Sequence, residues 1–252
     1  LSLVANIFLV VIKLVAAISS GSLSIVASAI DSLLDILAGV VLYLTSKAAQ
    51  KRDPYMYPVG KSRLEPIGVI IFACIMGVSM FGVCQESVSS LIGHLTGTNL
   101  LYIKVDVVPL VVLLITIFIK LGLYLYCMYA CKFDENSSVL AYMEDHRNDV
   151  LSNTFACIAY VCSGSWREMW WMDATFAILL CIYISVSWGQ TAQEQVAMLV
   201  GKRADPQFLS QLTFMALTHH ESVQKGDTIR AYSFGSRYLC EVHIVLPPET
   251  PL

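Results

Sequence analysis

Apolar residues in this chain fill long, nearly unbroken stretches rather than recurring in narrow stripes. Six such stretches stand out, at about 1–20, 22–45, 64–92, 107–131, 139–162 and 172–188. Each is long enough to cross roughly 30 Å of hydrocarbon as a helix. Within lipid every backbone N–H and C=O needs an internal partner, so these segments are predicted as helices, and short connections make neighbours antiparallel. After Gln190 the pattern changes to that of a water-exposed segment. Asp205 followed by Pro206 reads as an N-cap and a first-turn proline opening a helix to about His219. Residues 228–234 and 238–246 then alternate like two strands joined at Gly235. The expected fold is an all-α membrane protein, a six-transmembrane-helix bundle over 1–190, followed by a partial α+β cytoplasmic domain over 191–252. One helix and two strands make a thin core for an independent domain. No internal repeat at a fixed period is evident.

Composition agrees with a bilayer as solvent: the chain is 56% hydrophobic and 14% charged, against about a quarter charged in ordinary soluble domains. The net charge of −3, from 16 basic and 19 acidic residues, leaves no basic surface for nucleic acid. Of the eight cysteines, most lie inside apolar runs and read as small buried hydrophobes, although Cys127 and Cys131 share a helix face and could bind a soft metal. The chain opens on Leu1 within a hydrophobic run, with no initiator Met or cleavable leader pattern, so sequence upstream is expected. Basic residues set the orientation. Lys47, Lys51, Arg52, Lys61 and Arg63 crowd the second connection and Lys202 with Arg203 follow the sixth stretch, so both termini are expected in the cytoplasm, with Trp166, Trp170 and Trp171 in an outer belt.

Ionisable groups at membrane depth cost several kcal/mol each, so each needs a reason to be there. On the second stretch Asp31 and Asp35 sit four apart, which places both carboxylates on one helix face. On the fifth, Asp145 and Asp149 repeat the spacing and Asn153 continues the stripe. Four carboxylates gathered without a cation would repel one another, and a bound divalent ion resolves the conflict. A proton relay and plain structural pairing are the competing readings. Carboxylate and amide oxygens suit hard cations such as Mn²⁺, Mg²⁺ or Ca²⁺, whereas zinc sites more often include imidazole or thiolate. His146 lies one step round the helix and is expected to point elsewhere. Lys120, too deep in the fourth stretch to snorkel, is expected either to balance the aspartates when metal is absent or to pair with Glu86. Asn6 either faces the site through its amide oxygen or makes an interhelical hydrogen bond. Asp173 either receives the departing ion or, as the stronger reading, favours a helix N-terminus.

Four runs carry a family resemblance: ASAIDSLLDILAG at 27–39, YPVGKSRLEPIG at 57–68, EDHRNDVLSN at 144–153 and RAYSFGSRYLCEVHIVLP at 230–247. Together they resemble the cation diffusion facilitator (cation efflux) family over nearly the whole chain. The aspartate pair on both helices is similar to its manganese-transporting branch, which includes the plant metal tolerance proteins; zinc members usually carry a His in place of one Asp. The resemblance implies a homodimeric metal/proton antiporter that exports the ion from the cytosol, in an endomembrane such as the vacuole or Golgi. It also implies a ferredoxin-like cytoplasmic domain, of which a second helix and third strand are lacking here, so the chain is expected to be C-terminally truncated. His219, His220 and His243 are either remnants of that domain's metal site or solvated surface. The connection at 53–61 lacks the histidines that some bacterial members use for an extra zinc site, and no tight site is expected there.

The expected activity is therefore transport: Asp31, Asp35, Asp145 and Asp149 bind Mn²⁺ from the cytoplasmic side and protons displace it on the other. Zn²⁺ or Fe²⁺ transport and a non-transporting partner subunit are the alternatives. No resident cofactor and no enzymatic activity are expected. A membrane aspartyl protease would want Tyr-Asp on one helix and Gly-x-Gly-Asp on another, whereas Asp31 follows Ile30 and Asp145 follows Glu144.

Overall fold

The computed structural model describes residues 2–20, 23–51, 54–96, 107–132, 137–165 and 171–249, without the side chains of 16–20, 23–31, 108, 109, 160, 163–165 and 173. Among these residues the chain forms six long helices: α1 (Ser2–Ser20), α2 (Leu23–Gln50), α3 (Leu64–Leu95), α4 (Val107–Cys131), α5 (Ser137–Ser165) and α6 (Trp171–Val200). A short helix α7 (Pro206–Thr218) and the strands β1 (Lys225–Phe234) and β2 (Arg237–Val245) follow. The sixth helix runs on past Trp188, where the apolar stretch ends, to Val200.

Helix contacts close a ring in which α1 packs on α2, α2 on α3, α3 on α6, α6 on α5, α5 on α4 and α4 back on α1. Across it, α5 also meets α2 and α3. Four helical segments among the described residues are long and apolar enough to cross a membrane: Ser32–Gln50, Leu64–Leu95, Leu110–Cys131 and Ala174–Val200. The described apolar part of α1, Ser2–Val15, is shorter. The sequence of α5 shows why it falls outside the set, since Glu144, Asp145, Arg147 and Asp149 interrupt its middle. Apolarity thus supports four spans where six were expected.

The apolar core lies between α2, α3, α5 and α6. Leu42 and Ala38, Val69, Phe72, Ala73 and Met76, Ala141, and Ile184 and Trp188 form one buried cluster. Phe72 is its hub, with its ring 5.2 Å from that of Trp188 and edge-on to Tyr142 at 6.0 Å.

After α6 the chain folds back on the bundle. Asp205 accepts from the Gln207 N–H at 2.8 Å and Pro206 opens α7, the expected cap. β1 and β2 pair antiparallel through Phe234↔Arg237 around a two-residue turn, and Gly235 has φ of 68°, the geometry of a II′ hairpin. β1 is longer than alternation alone indicated, because a bulge between Gly226 and Thr228 carries it back to Lys225. The segment between α6 and α7 runs beside β1, with the Ser233 N–H donating to the Lys202 carbonyl and the Ala204 N–H to that of Ala231. The hairpin turn seats on the α2–α3 connection. There the Ser62 hydroxyl donates to the Phe234 carbonyl at 2.9 Å and the Arg63 guanidinium lies 4.0 Å from the Phe234 ring centre. Those two basic segments, one before α3 and one after α6, therefore meet at one end of the bundle.

Candidate metal centre

The polar interior is assembled by α1, α2, α4 and α5. On α5, Asp145 and Asp149 stand one turn apart on the inward face, and helical spacing stacks their carboxylates along it. Asp145 is 2% exposed and Asp149 is half-buried. Asp35 on α2 faces them across the ring. Lys120, the single charged residue of α4, joins the two helices: its Nζ donates to Asp35 Oδ2 at 3.2 Å and also to Asp149 Oδ2. The lysine is 2% exposed. Of its two expected partners, the aspartates rather than Glu86 receive it. Asp31 lies one turn before Asp35 on α2, but its side chain is outside the described residues, as is that of Asp173 on α6.

His146 does not point away. One of its ring nitrogens and one carboxylate oxygen each from Asp145 and Asp149 form a group whose atoms all lie within 4.8 Å of one another. Nδ1 is 3.9 Å from Asp145 Oδ2, and Nε2 is 2.5 Å from the Ser2 hydroxyl on α1. One residue rotates a helix by about 100°. On a surface helix that suffices to turn a side chain outward, but α5 is enclosed by its neighbours and a wide sector of it faces inward. Asp145, His146 and Asn148 are accordingly all buried.

Among the described residues, Asn6 Oδ1, His146 Nδ1 and both amide atoms of Asn148 are buried and have no hydrogen-bond partner. Native interiors leave few such atoms unpaired, because each costs roughly 1–3 kcal/mol. Asn6 lies one turn along α1 from Ser2, which places its free oxygen on the helix face already touching His146. Asn153 behaves otherwise: its Nδ2 donates to the Asp149 carbonyl at 2.7 Å, turning the amide nitrogen back to its own helix.

A tyrosine hydroxyl also ties the two aspartate helices together. Tyr142, three residues before Asp145, donates its hydroxyl to the Gly39 carbonyl at 2.8 Å, four residues after Asp35. A Cβ at Gly39 would come within 3.1 Å of that hydroxyl, so a residue without a side chain permits the approach. On the far side of α5, Thr191 donates to Glu144 at 2.7 Å and Arg147 to the Ser187 hydroxyl at 3.3 Å, tying α5 to α6. Sequence reading overlooked Lys13 on α1, which is buried and donates to the Ser32 hydroxyl at 2.7 Å. Its depth within an apolar stretch, the signal that singled out Lys120, applies to it equally.

Four helices long and apolar enough to cross a bilayer, in a ring closed around buried carboxylates, a histidine and two lysines, mark an integral membrane protein with an ionic interior. The chain belongs to the cation efflux family, since residues 1–200 match its cation efflux transmembrane domain. Over all 252 residues it is 38% identical to metal tolerance protein 11 of Arabidopsis thaliana and 40% identical to metal tolerance protein 5 of Oryza sativa subsp. japonica. It covers 62% and 59% of the lengths of those two relatives. The family resemblance carried by the four sequence runs is thereby borne out.

Proposed function

We propose that this chain carries a divalent metal ion across a membrane through Asp31, Asp35, Asp145 and Asp149, with Mn²⁺ as the favoured cargo and protons as counter-ions. The observation that carries the reading is the convergence of Asp35 and Asp149, from two different helices, on one point inside the bundle. Buried carboxylates facing each other across helices need a cation, and oxygen donors favour a hard one. The free Asn6 oxygen is a further donor of the same kind. Protons arriving from the more acidic side compete for the same oxygens and release the ion, so one set of groups couples the two fluxes. The names of the plant relatives, metal tolerance proteins, agree with such a cargo.

In this reading the six helices span the bilayer, the end bearing the hairpin and the α2–α3 connection is cytoplasmic, and the ion leaves the cytosol for an endomembrane compartment. The protein acts as a homodimer. A second reading has a specific observation behind it. His146 lies in the donor group, and an imidazole beside two carboxylates suits Zn²⁺ or Fe²⁺ better than an all-oxygen set does.

Uptake of Mn²⁺ and of Zn²⁺ into proteoliposomes under an imposed pH gradient separates these readings. Uptake of Mn²⁺ over Zn²⁺, moving toward Zn²⁺ in Asp149→His, is the expected result. A wild-type preference for Zn²⁺ that is lost in His146→Ala supports the second reading, and robust uptake by Asp35→Ala would exclude both.

A further inference from the structure

Lys120 occupies the position that a cargo ion shared between α2 and α5 would need. It enters from a third helix, α4, whose other 24 positions carry no charge, and its ammonium touches one oxygen on each facing helix. We propose that Lys120 is a tethered counter-cation, which holds the aspartates between transport events and is displaced by each incoming ion. The inference rests on the transport reading above and assigns a role within it.

The argument is one of charge and space. A hard divalent ion holds its oxygens at about 2.0–2.6 Å, drawing Asp35 and Asp149 closer together than an intervening ammonium allows. An ion that used the other carboxylate oxygens would still sit beside a positive charge in a medium of low polarity, where like charges repel strongly. The ammonium is a compact charge on a flexible four-carbon stem and can withdraw without movement of α4. A fixed competitor of this kind weakens binding of the ion and speeds its departure. It also spares the empty site the repulsion of bare carboxylates.

A purely structural ion pair makes the opposite forecast. Removing one partner of a buried pair then leaves uncompensated charge, lowers stability and disorders the site. Mn²⁺ titration of the full chain in lipid nanodiscs distinguishes the two. Lys120→Met, similar in length but uncharged, is expected to bind Mn²⁺ about tenfold more tightly or better. In proteoliposomes its KM falls together with kcat, because the ion leaves more slowly. Lys120→Arg, which keeps the charge, returns both values toward wild type. Folded Lys120→Met that binds Mn²⁺ no more tightly than wild type would overturn the proposal.

If Lys120→Met fails to fold, the wild-type protein still decides. With ¹⁵N-labelled lysine, the Lys120 Nζ resonance must shift when the diamagnetic ion Zn²⁺ saturates the site, and a resonance that stays in place overturns the displacement. Wild-type protein that binds neither Mn²⁺ nor Zn²⁺ sinks the transport reading itself. Binding by the wild type without a change in either lysine test sinks only the role of Lys120.

Discussion

Helix α5 divides the bundle into two interiors of opposite character. Toward α3 and α6 it meets the cluster around Phe72 and Trp188, where side chains interlock. Toward α1, α2 and α4 it meets Asp35, Lys120 and Ser2, and among the described residues Asn6 Oδ1 and His146 Nδ1 have no hydrogen-bond partner here. The apolar half is held by packing, with the Thr191–Glu144 and Arg147–Ser187 hydrogen bonds beside it. The polar half instead gathers charge from three helices, with Lys120 holding Asp35 and Asp149 together. The difference separates the scaffold from the site, and it assigns separate consequences to substitutions on the two sides of one helix.

The sharpest way to break that assignment is to remove a carboxylate. Asp149→Ala and Asp35→Ala are each expected to lower metal transport by about 100-fold or more while leaving the bundle inserted, as proteoliposome flux and detergent-solubilised yield would report. Next in size is the scaffold. Phe72→Ala should cost about 3 kcal/mol in thermal or denaturant unfolding, with metal affinity preserved in the molecules that fold. Loss of affinity equal to that of the aspartate variants would erase the distinction between the two halves.

Smaller effects sharpen it. Gly235→Ala places a Cβ against the Ser62 carbonyl at a positive φ, and about 1–2 kcal/mol of strain should loosen the hairpin from the α2–α3 connection. Faster hydrogen exchange over 225–245 with unchanged Mn²⁺ binding is the expected outcome. Tyr142→Phe deletes the hydroxyl bond to the Gly39 carbonyl and should cost about 1 kcal/mol, a few-fold weaker affinity in titration, because that bond sets the spacing of the two aspartate helices.

Much of this was legible in the sequence, for reasons that differ by element. The aspartate pairs could be read because a four-residue spacing has one meaning on a helix, and the cap at Asp205 and the turn at Gly235 because local backbone chemistry decides them. The partners of Lys120 were narrowed to two choices, and tertiary placement of α4 made the selection. His146 was misjudged because its direction depends on how much of α5 is enclosed, which no periodicity along a single helix contains. The ring order, with α3 against α6 and α4 against α1, is likewise a property of contacts between distant segments. Among the described residues four helices meet the apolarity condition for a span, whereas α1 and α5 were read as spans from the length of their stretches.

The central claim is that the polar half of the bundle holds the cargo ion. Its most direct test is a structure of the full chain loaded with Mn²⁺ and recorded at the manganese absorption edge. The account predicts an anomalous peak among Asp35, Asp145 and Asp149, with the Lys120 ammonium drawn away from both α2 and α5. A peak confined to the histidines at 219, 220 or 243, with Lys120 still bridging Asp35 and Asp149, would contradict it.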